Sequence, residues 1–484
     1  MTVEHVDVLI VGAGISGIGA ACHLQQNCPG KRYLILEGRE ALGGTWDLFR
    51  YPGIRSDSDM YTLGYAFKPW THPKAIADAP HILDYLHETV AEHRLEPHIR
   101  YGHKVVAASW SGSDARWTVE VARSDGGENK VISCHFLHMC SGYYNYERGY
   151  TPEFEGVERF GGQIIHPQFW PEDLDYSGKR VVVIGSGATA VTLVPALAKT
   201  AAHVTMLQRS PTYVVSRPAE DKFANKLRDI LPGKLAYLIT RWRNILFQRF
   251  IYERCRKYPR QAKERIIGMV RDEMGPDYDV DTHFTPKYYP WEQRLCLVPD
   301  GDLFKAIREG RASVVTDHID SFTEHGLRLK SGQELQADII VTATGLEMQF
   351  LSDVVFTIDG QVLEPHAALS YKGMMVSGVP NMALSSGYTN ASWTLKCDLT
   401  CDYVCRLLNY MDRQGYRTCT PVNRDSELEV EPHMSLSSGY IQRALDKFPQ
   451  QGARAPWKLY QNYLKDIIAL RFGRLADGVM DFSR

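Results

Sequence analysis

Apolar residues along this chain fall into a pattern that occurs twice. Val6–Val11 is a short, nearly continuous apolar run, as expected of a strand buried on both faces. It breaks into Gly12-Ala13-Gly14-Ile15-Ser16-Gly17, and helical spacing follows to about Cys28. Tyr33–Leu36 is a second strand-like run and stops at Glu37. The same order returns at Val181–Ile184, Gly185-Ser186-Gly187-Ala188-Thr189-Ala190, a helical stretch, and Val204–Leu207 followed by Gln208 and Arg209. Alternating segments separated by turn residues come next in each half, the period-two pattern of a β-meander. They are Lys104–Trp110, Arg116–Arg123 and Val131–His135 first, then Ser313–Thr316, Gly326–Lys330 and Glu334–Asp338. Each meander runs into an apolar strand and a small-residue turn, Met139-Cys140-Ser141-Gly142 and Ile340-Val341-Thr342-Ala343-Thr344-Gly345.

This duplication predicts an α/β fold of two Rossmann-like dinucleotide-binding domains. The expected division is 1–145 for the first part of one domain, 146–335 for the second domain, and 336–484 for the return to the first domain with a C-terminal segment. The second half carries additional residues, and Arg217–Pro290 reads as a helical insertion of about 217–290. It is rich in aromatic and basic residues: Arg217–Arg265 holds fourteen Lys and Arg against five Asp and Glu. Leu235–Tyr252 has helical apolar spacing with Arg and Trp interleaved. Two readings stay open, a helix packed on the body with a solvated basic face, or a peripheral contact with a membrane or subunit through 217–265.

Composition narrows the class. The chain of 484 residues has 44% hydrophobic and 23% charged residues, ordinary for a globular protein. Its net charge of −2 gives no global footprint for nucleic acid. No apolar run reaches the ~18 residues of a spanning helix, and the N-terminus lacks a basic, signal-like start. The expected location is therefore cytoplasmic, with peripheral membrane association as the second reading. Ten cysteines in such a chain read as free thiols. Cys397, Cys401 and Cys405 repeat every four residues, a single helical stripe of small core residues, and no metal site is expected.

The Gly-rich turns carry the chemistry. Gly12 allows a tight turn, Gly14 lets the backbone approach a pyrophosphate, and Gly17 permits close helix–strand packing. A helix N-terminus favours the phosphate charge, and Glu37 sits where a carboxylate accepts hydrogen bonds from a ribose. This first site reads as one for FAD or a NAD-like nucleotide. In the second, Arg209 replaces the carboxylate and can pair with a 2′-phosphate, so Gly185, Gly187, Ala188, Thr189 and Arg209 read as an NADP site. Two nucleotide sites in one chain imply electron transfer between a flavin and NADPH. A dithiol acceptor is excluded near the flavin, because Gly43-Gly44-Thr45 is followed by Trp46 and no Cys lies between Cys28 and Cys134. A non-catalytic, nucleotide-bound redox sensor is a further class that the Gly-rich turns alone would allow.

Two motifs point to dioxygen. Phe160-Gly161-Gly162-Gln163-Ile164-Ile165-His166-Pro167-Gln168-Phe169-Trp170-Pro171 fits FxGxxxHxxxWP, in which Phe160, Gly162, His166, Trp170 and Pro171 are specified. Gly44, Trp46, Tyr51-Pro52-Gly53 and Asp57 fit GxWxxxxYPGxxxD. Both resemble the Baeyer–Villiger monooxygenases of the class B flavoprotein monooxygenases. Gly43–Tyr65, Cys140–Tyr146, Gly185–Pro211 and Ser386–Leu395 are similar to the mycobacterial ethionamide-activating branch of that class.

The resemblance implies that NADPH reduces FAD and that a C4a-peroxyflavin inserts oxygen into ketones, giving esters, and oxidises sulfides and thioamides. The partners it implies are a small ketone or sulfur substrate and dioxygen. The runner-up is an N- or S-oxygenating flavin monooxygenase without ketone activity. Arg294 matches the family's cation beside the flavin, which anionic intermediates require, and Asp57 matches the carboxylate that orients it. Asp57 has a second reading as the cap of a helix at Ser58–Tyr61. FAD contacts are implied for Ser16, Gly44, Thr45, Trp46, Asp57, Tyr61, Val105, Ser141, Gly142 and Asn390, and NADP contacts for Ser210, Gln293, Thr344 and Gly345. Thr389-Asn390-Ala391-Ser392 reads as a helix start aimed at the flavin. Gln293 replaces the Lys that other members carry, which leaves Arg209 most of the 2′-phosphate recognition. For His166 the motif implies a structural or domain-motion role rather than acid–base chemistry.

Overall fold

The computed structural model describes residues 3–293, 295–434 and 437–484. Glu4–Val11 lies between Tyr33–Leu36 and Lys130–Met139 and is parallel to both. Val8 and Ile10 enter the core beneath the helix Ile15–Asn27, while Leu9 and Val11 enter a second core on the other face. Burial on both faces explains why this strand is continuously apolar. The sheet has nine strands. Lys130–Met139 serves two patterns at once, antiparallel to Arg116–Arg123 in the meander and parallel to Glu4–Val11.

A second sheet has five strands, all parallel, in the order Ala312–Thr316, His203–Gln208, Arg180–Ile184, Ile339–Thr342 and Gln163–Ile165. The two sheets and their helices form the expected Rossmann-like pair. The second meander differs from expectation. Ser313–Thr316 belongs to the edge strand of the parallel sheet, and the meander is Ile319–Thr323, Gly326–Leu329 and Glu334–Gln336. Ala312 and Val314 are buried, while the intervening Ser313 hydroxyl meets His203 Nε2 at 2.8 Å. A parallel edge strand covered on one face alternates just as a meander strand does.

After Thr342 the chain returns to the first sheet. Val355–Ile358 pairs with His103–Ser111, and Met382–Leu384 with Lys130–Met139. The helix Trp393–Gln414 then packs along Ile15–Asn27. Cys397, Cys401 and Cys405 lie in this seam and all ten cysteines are buried free thiols, so the stripe is core. The region 217–290 forms helices Lys222–Ile230, Gly233–Lys257, Pro259–Met274 and Val280–Phe284. No helix among the described residues is long and apolar enough to cross a membrane.

One buried charge ties the insertion to the first domain. Arg241, on Gly233–Lys257, is 2% exposed. Its Nη1 donates to the carbonyls of Tyr61 (2.8 Å) and Gly64 (2.7 Å), and its Nη2 to Asp398 Oδ2 (3.3 Å). Several acceptors are what make a desolvated guanidinium tolerable. Arg241→Met leaves those carbonyls without a donor and is expected to lower stability by about 3–5 kcal/mol, read as a fall in the denaturant midpoint.

Asp398 also faces His23, 3.4 Å from Nε2, with Asp402 3.1 Å from Nδ1. Burial works against the imidazolium, but the two carboxylates outweigh it and hold the pKa up to about 9. The folded value lies above the ordinary 6.5, so this stabilisation is complete below that pH and is lost as pH rises through 9. His23→Gln is expected to flatten the unfolding temperature against pH across that window.

Candidate active site

Two clefts open at the carboxyl ends of the parallel strands of the two sheets, where Rossmann-like folds bind ligands. Gly12 has φ +105°, and a Cβ there would lie 2.6 Å from the Cys140 carbonyl oxygen. Gly185 has φ +137°, and its Cβ would lie 2.3 Å from the Ala343 carbonyl oxygen. Only glycine lets the chain turn this tightly against the neighbouring strand end. Gly14 and Gly187 then begin the helices Ile15–Asn27 and Ala188–Leu197 with nearly the same backbone geometry, and neither helix has a capping side chain. Both N-termini therefore present backbone N–H groups to their clefts. A Cβ on Gly17 would strike the Gly12 carbonyl, so Gly17 serves packing and lies outside the cleft wall.

The first cleft encloses about 720 Å³. Its wall brings together Gly12, Gly14, Ser16, Glu37, Gly44, Thr45, Trp46, Asp57, Val105, Ser141 and Gly142. Buried Glu37 accepts from the Ala13 N–H at 2.7 Å and the Arg39 N–H at 2.9 Å. Burial raises its pKa, against those two hydrogen bonds. Two expected contacts sit elsewhere. Tyr61 is buried in the core behind the cleft, and Asn390 donates to the Gln461 carbonyl at 2.9 Å. The helix predicted after Thr389-Asn390-Ala391-Ser392 does begin at Trp393, with Ser392 as its cap residue.

Several wall residues escaped the sequence reading. Arg39 follows Glu37 and pairs with buried Asp47. Tyr146, whose phenol is pushed up to about 12 by burial, lies 3.3 Å from the Thr45 hydroxyl. Trp393 donates to the Ser16 hydroxyl at 2.8 Å and packs on Tyr143, and Tyr388 stands beside it. The signal for Tyr143, Tyr146, Tyr388 and Trp393 was present in Cys140–Tyr146 and Ser386–Leu395, but those segments carried only a resemblance and no assigned role.

The second cleft encloses about 770 Å³ and gathers Gly185, Gly187, Ala188, Thr189, Arg209, Ser210, Gln293, Thr344 and Gly345. Arg209 and Ser210 are exposed at its rim. The two clefts share Thr45, Trp46, Ser56, Asp57 and Tyr144, so they meet at that wall. Asp57 is therefore at the junction; the residue that caps the helix Met60–Leu63 is Asp59, which accepts from the Thr62 N–H. Arg294 lies outside the described residues, while Gln293 and Cys296 on either side of it line the second cleft.

Parts of both motifs join the two halves of the molecule. A Cβ on Gly53 (φ +78°) would lie 2.7 Å from the Ala196 Cβ, so the Tyr51-Pro52-Gly53 turn of the first half docks on the helix Ala188–Leu197 of the second. Tyr51, its phenol also pushed up to about 12 by burial, bonds to Thr189. His166 Nδ1 accepts from the Gln168 N–H at 3.2 Å, which leaves Nε2 to donate to the Gly345 carbonyl at 3.1 Å. Burial lowers its pKa, consistent with this neutral tautomer. Gln168 in turn donates to the Asn145 carbonyl, 2.7 Å away on the wall of the first cleft. Phe160 and Trp170 are buried, and Gly162 abuts the Asp338 carbonyl. Phe160, Gly162, His166, Trp170 and Pro171 all lie outside the walls of both clefts.

Among the described residues, His5, Asp7 and His135 are the one His, Cys, Asp and Glu group close enough to share an ion. None of them lines either cleft, and Lys31, Arg32 and Arg116 nearby oppose a cation.

Residues 59–276 match the flavin-binding monooxygenase-like family, and residues 10–86 an NAD(P)-binding Rossmann-like domain. The chain is 56% identical over 482 residues to the FAD-containing monooxygenase EthA of Mycobacterium tuberculosis, covering 99% of this chain and 98% of that one. It is 53% identical to EthA of Mycolicibacterium smegmatis over the same shares. A steroid monooxygenase solved in its oxidised form with NADP superposes with a TM-score of 0.77 at 23% identity, over 99% of this chain and all of that one. Cyclohexanone monooxygenase bound to ε-caprolactone gives 0.75 at 20%, with the same coverage. At these identities the structural likeness is one of fold.

Proposed function

This chain belongs to the FAD-containing monooxygenases, and from that premise we propose that it is a Baeyer–Villiger-type enzyme using NADPH and dioxygen. It places one oxygen atom into ketones, giving esters, or onto the sulfur of sulfides and thioamides, and the other oxygen leaves as water. The observation that carries this reading is the pair of like-built clefts meeting at Thr45, Trp46, Ser56, Asp57 and Tyr144.

The residues present fit the two nucleotides. In the first cleft the uncapped helix start after Gly14 would hold the FAD pyrophosphate, Glu37 the ribose, and Ser16, Gly44, Thr45, Trp46, Val105, Ser141 and Gly142 the rest. In the second, Gly185, Gly187, Ala188 and Thr189 would hold the NADP pyrophosphate, with Gln293, Thr344 and Gly345 toward the nicotinamide half. Arg209 and Ser210 would take the 2′-phosphate at the rim. Bound FAD supplies the chemistry of accepting hydride and activating dioxygen. Asp57 at the junction would hold Arg294 toward the reacting oxygen, where a fixed cation stabilises negative charge. His166, neutral and hydrogen-bonded on both ring nitrogens, is a positioning residue that sets the Gly345 turn against Asn145.

Purified, FAD-loaded protein is offered phenylacetone and a thioether with NADPH in air. Ester and sulfoxide support the reading. Sulfoxide alone establishes the heteroatom oxygenase instead, and no product with FAD bound overturns both. Arg294→Ala is expected to keep NADPH-dependent flavin reduction and lose oxygenated product by about 10²–10³-fold, the size of a lost charge-stabilising donor. Unchanged product would remove Arg294 from charge stabilisation and assign that role to another cation. Arg209→Ala is expected to raise the KM for NADPH by about 10–100-fold, the loss of a charged hydrogen bond, with the KM for NADH unchanged. Equal effects on both nucleotides would remove Arg209 from 2′-phosphate recognition.

A further inference from the structure

We propose that the outer face of the helix Gly233–Lys257, together with the adjoining turn Ile467–Phe472, is a docking surface for an anionic lipid bilayer. The inner face of this helix is fully used. Arg241 holds the first domain, Asn244 and Gln248 donate to Asp59, and Ile245 packs with Tyr388 and Leu395. The opposite side is apolar as well. Leu235, Leu238, Ile239, Trp242, Leu246 and Phe250 follow one another at helical spacing, and all are exposed, Leu246 by 50% and Phe250 by 57%. Trp242 packs against Tyr463, which begins the short helix leading into the turn with Ile468 and Phe472, 68% and 72% exposed. Scattered apolar residues on a surface need no explanation, but a continuous stripe of this kind marks an interaction site.

Charge selects the occupant. The helix carries seven Lys and Arg and one Glu, and Lys234, Arg254, Arg256 and Lys257 are exposed on it. An apolar stripe flanked by basic side chains is the pattern of a helix lying in the plane of an anionic interface. The basic side chains can reach the headgroups while their stems and the stripe sit deeper. A closed two-fold pair would place this same basic face against itself, so like charges would oppose a second copy. Because no described helix can cross a bilayer, the contact is peripheral. It stands independently of the oxygenase reading.

The test is co-sedimentation of full-length protein with vesicles of phosphatidylcholine alone and of phosphatidylcholine with phosphatidylglycerol. Binding is expected to be about tenfold greater on the anionic vesicles and to weaken in high salt. The double variant Leu246→Ser with Phe250→Ser is expected to lose at least about tenfold in vesicle binding at an unchanged unfolding midpoint. Val131→Ser, which removes an exposed apolar side chain from the far meander, should bind as the parent does. Three outcomes overturn the proposal: no binding to anionic vesicles, binding that the double variant leaves intact, or a dimer in light scattering that the double variant converts to monomer. The last would assign the face to a second copy of the chain.

Discussion

A helix that begins without a capping side chain has backbone N–H groups in search of an acceptor. At Gly14 and Gly187 this chain directs that deficit into a cleft. The deficit can face the cleft only because Gly12 and Gly185 turn hard against the carbonyls of Cys140 and Ala343. A side chain at either glycine would push the strand ends apart and swing the helix away. The rest of the molecule keeps these two starts in place. The parallel strands seat the turns, the buried Cys-bearing helix backs the first one, and the meanders close the flanks.

The second requirement is that the two starts face a common wall. No single element does this. The Tyr51-Pro52-Gly53 turn reaches from the first domain onto the helix Ala188–Leu197, and Arg55 pairs with Asp302 beyond it. From the other side, His166 and Gln168 link the Gly345 turn to Asn145. These are the two motif segments, and their distinctive residues do joining work. Small residues are needed where backbones approach within a Cβ's width. A His with one accepting and one donating nitrogen is needed where a backbone N–H on one side and a carbonyl on the other must both be met without adding charge.

What was legible in the sequence follows from distance along the chain. The Gly-rich turns, the strands and Glu37 lie within a few tens of residues, so spacing alone exposed them. All nine residues expected in the second cleft do line it. The misplacement of Ser313–Thr316 arose because period two does not say which sheet a strand joins. Tyr61 and Asn390 were carried by resemblance, and the structure sets both back from the cleft wall. Trp393 reached the first wall unseen, since its partner Ser16 is 377 residues away. The seam between Cys397 and Ser16 spans 381 residues and was equally invisible.

The insertion shows the limit most sharply. Periodicity identified a helix at Leu235–Tyr252 but could not orient it, because apolar residues occupy both sides. Burial of a basic residue decided the matter, against the usual preference of Arg for solvent. Arg241 lies inward because the carbonyls of Tyr61 and Gly64 and the carboxylate of Asp398 replace the water it loses. Those acceptors come from the end of the short helix after Asp59 and from a helix some 157 residues downstream. Once Arg241 is inward, Leu246 and Phe250 have no choice but to point outward. The exposed stripe is thus a consequence of the buried ion pair rather than an independent feature of the helix.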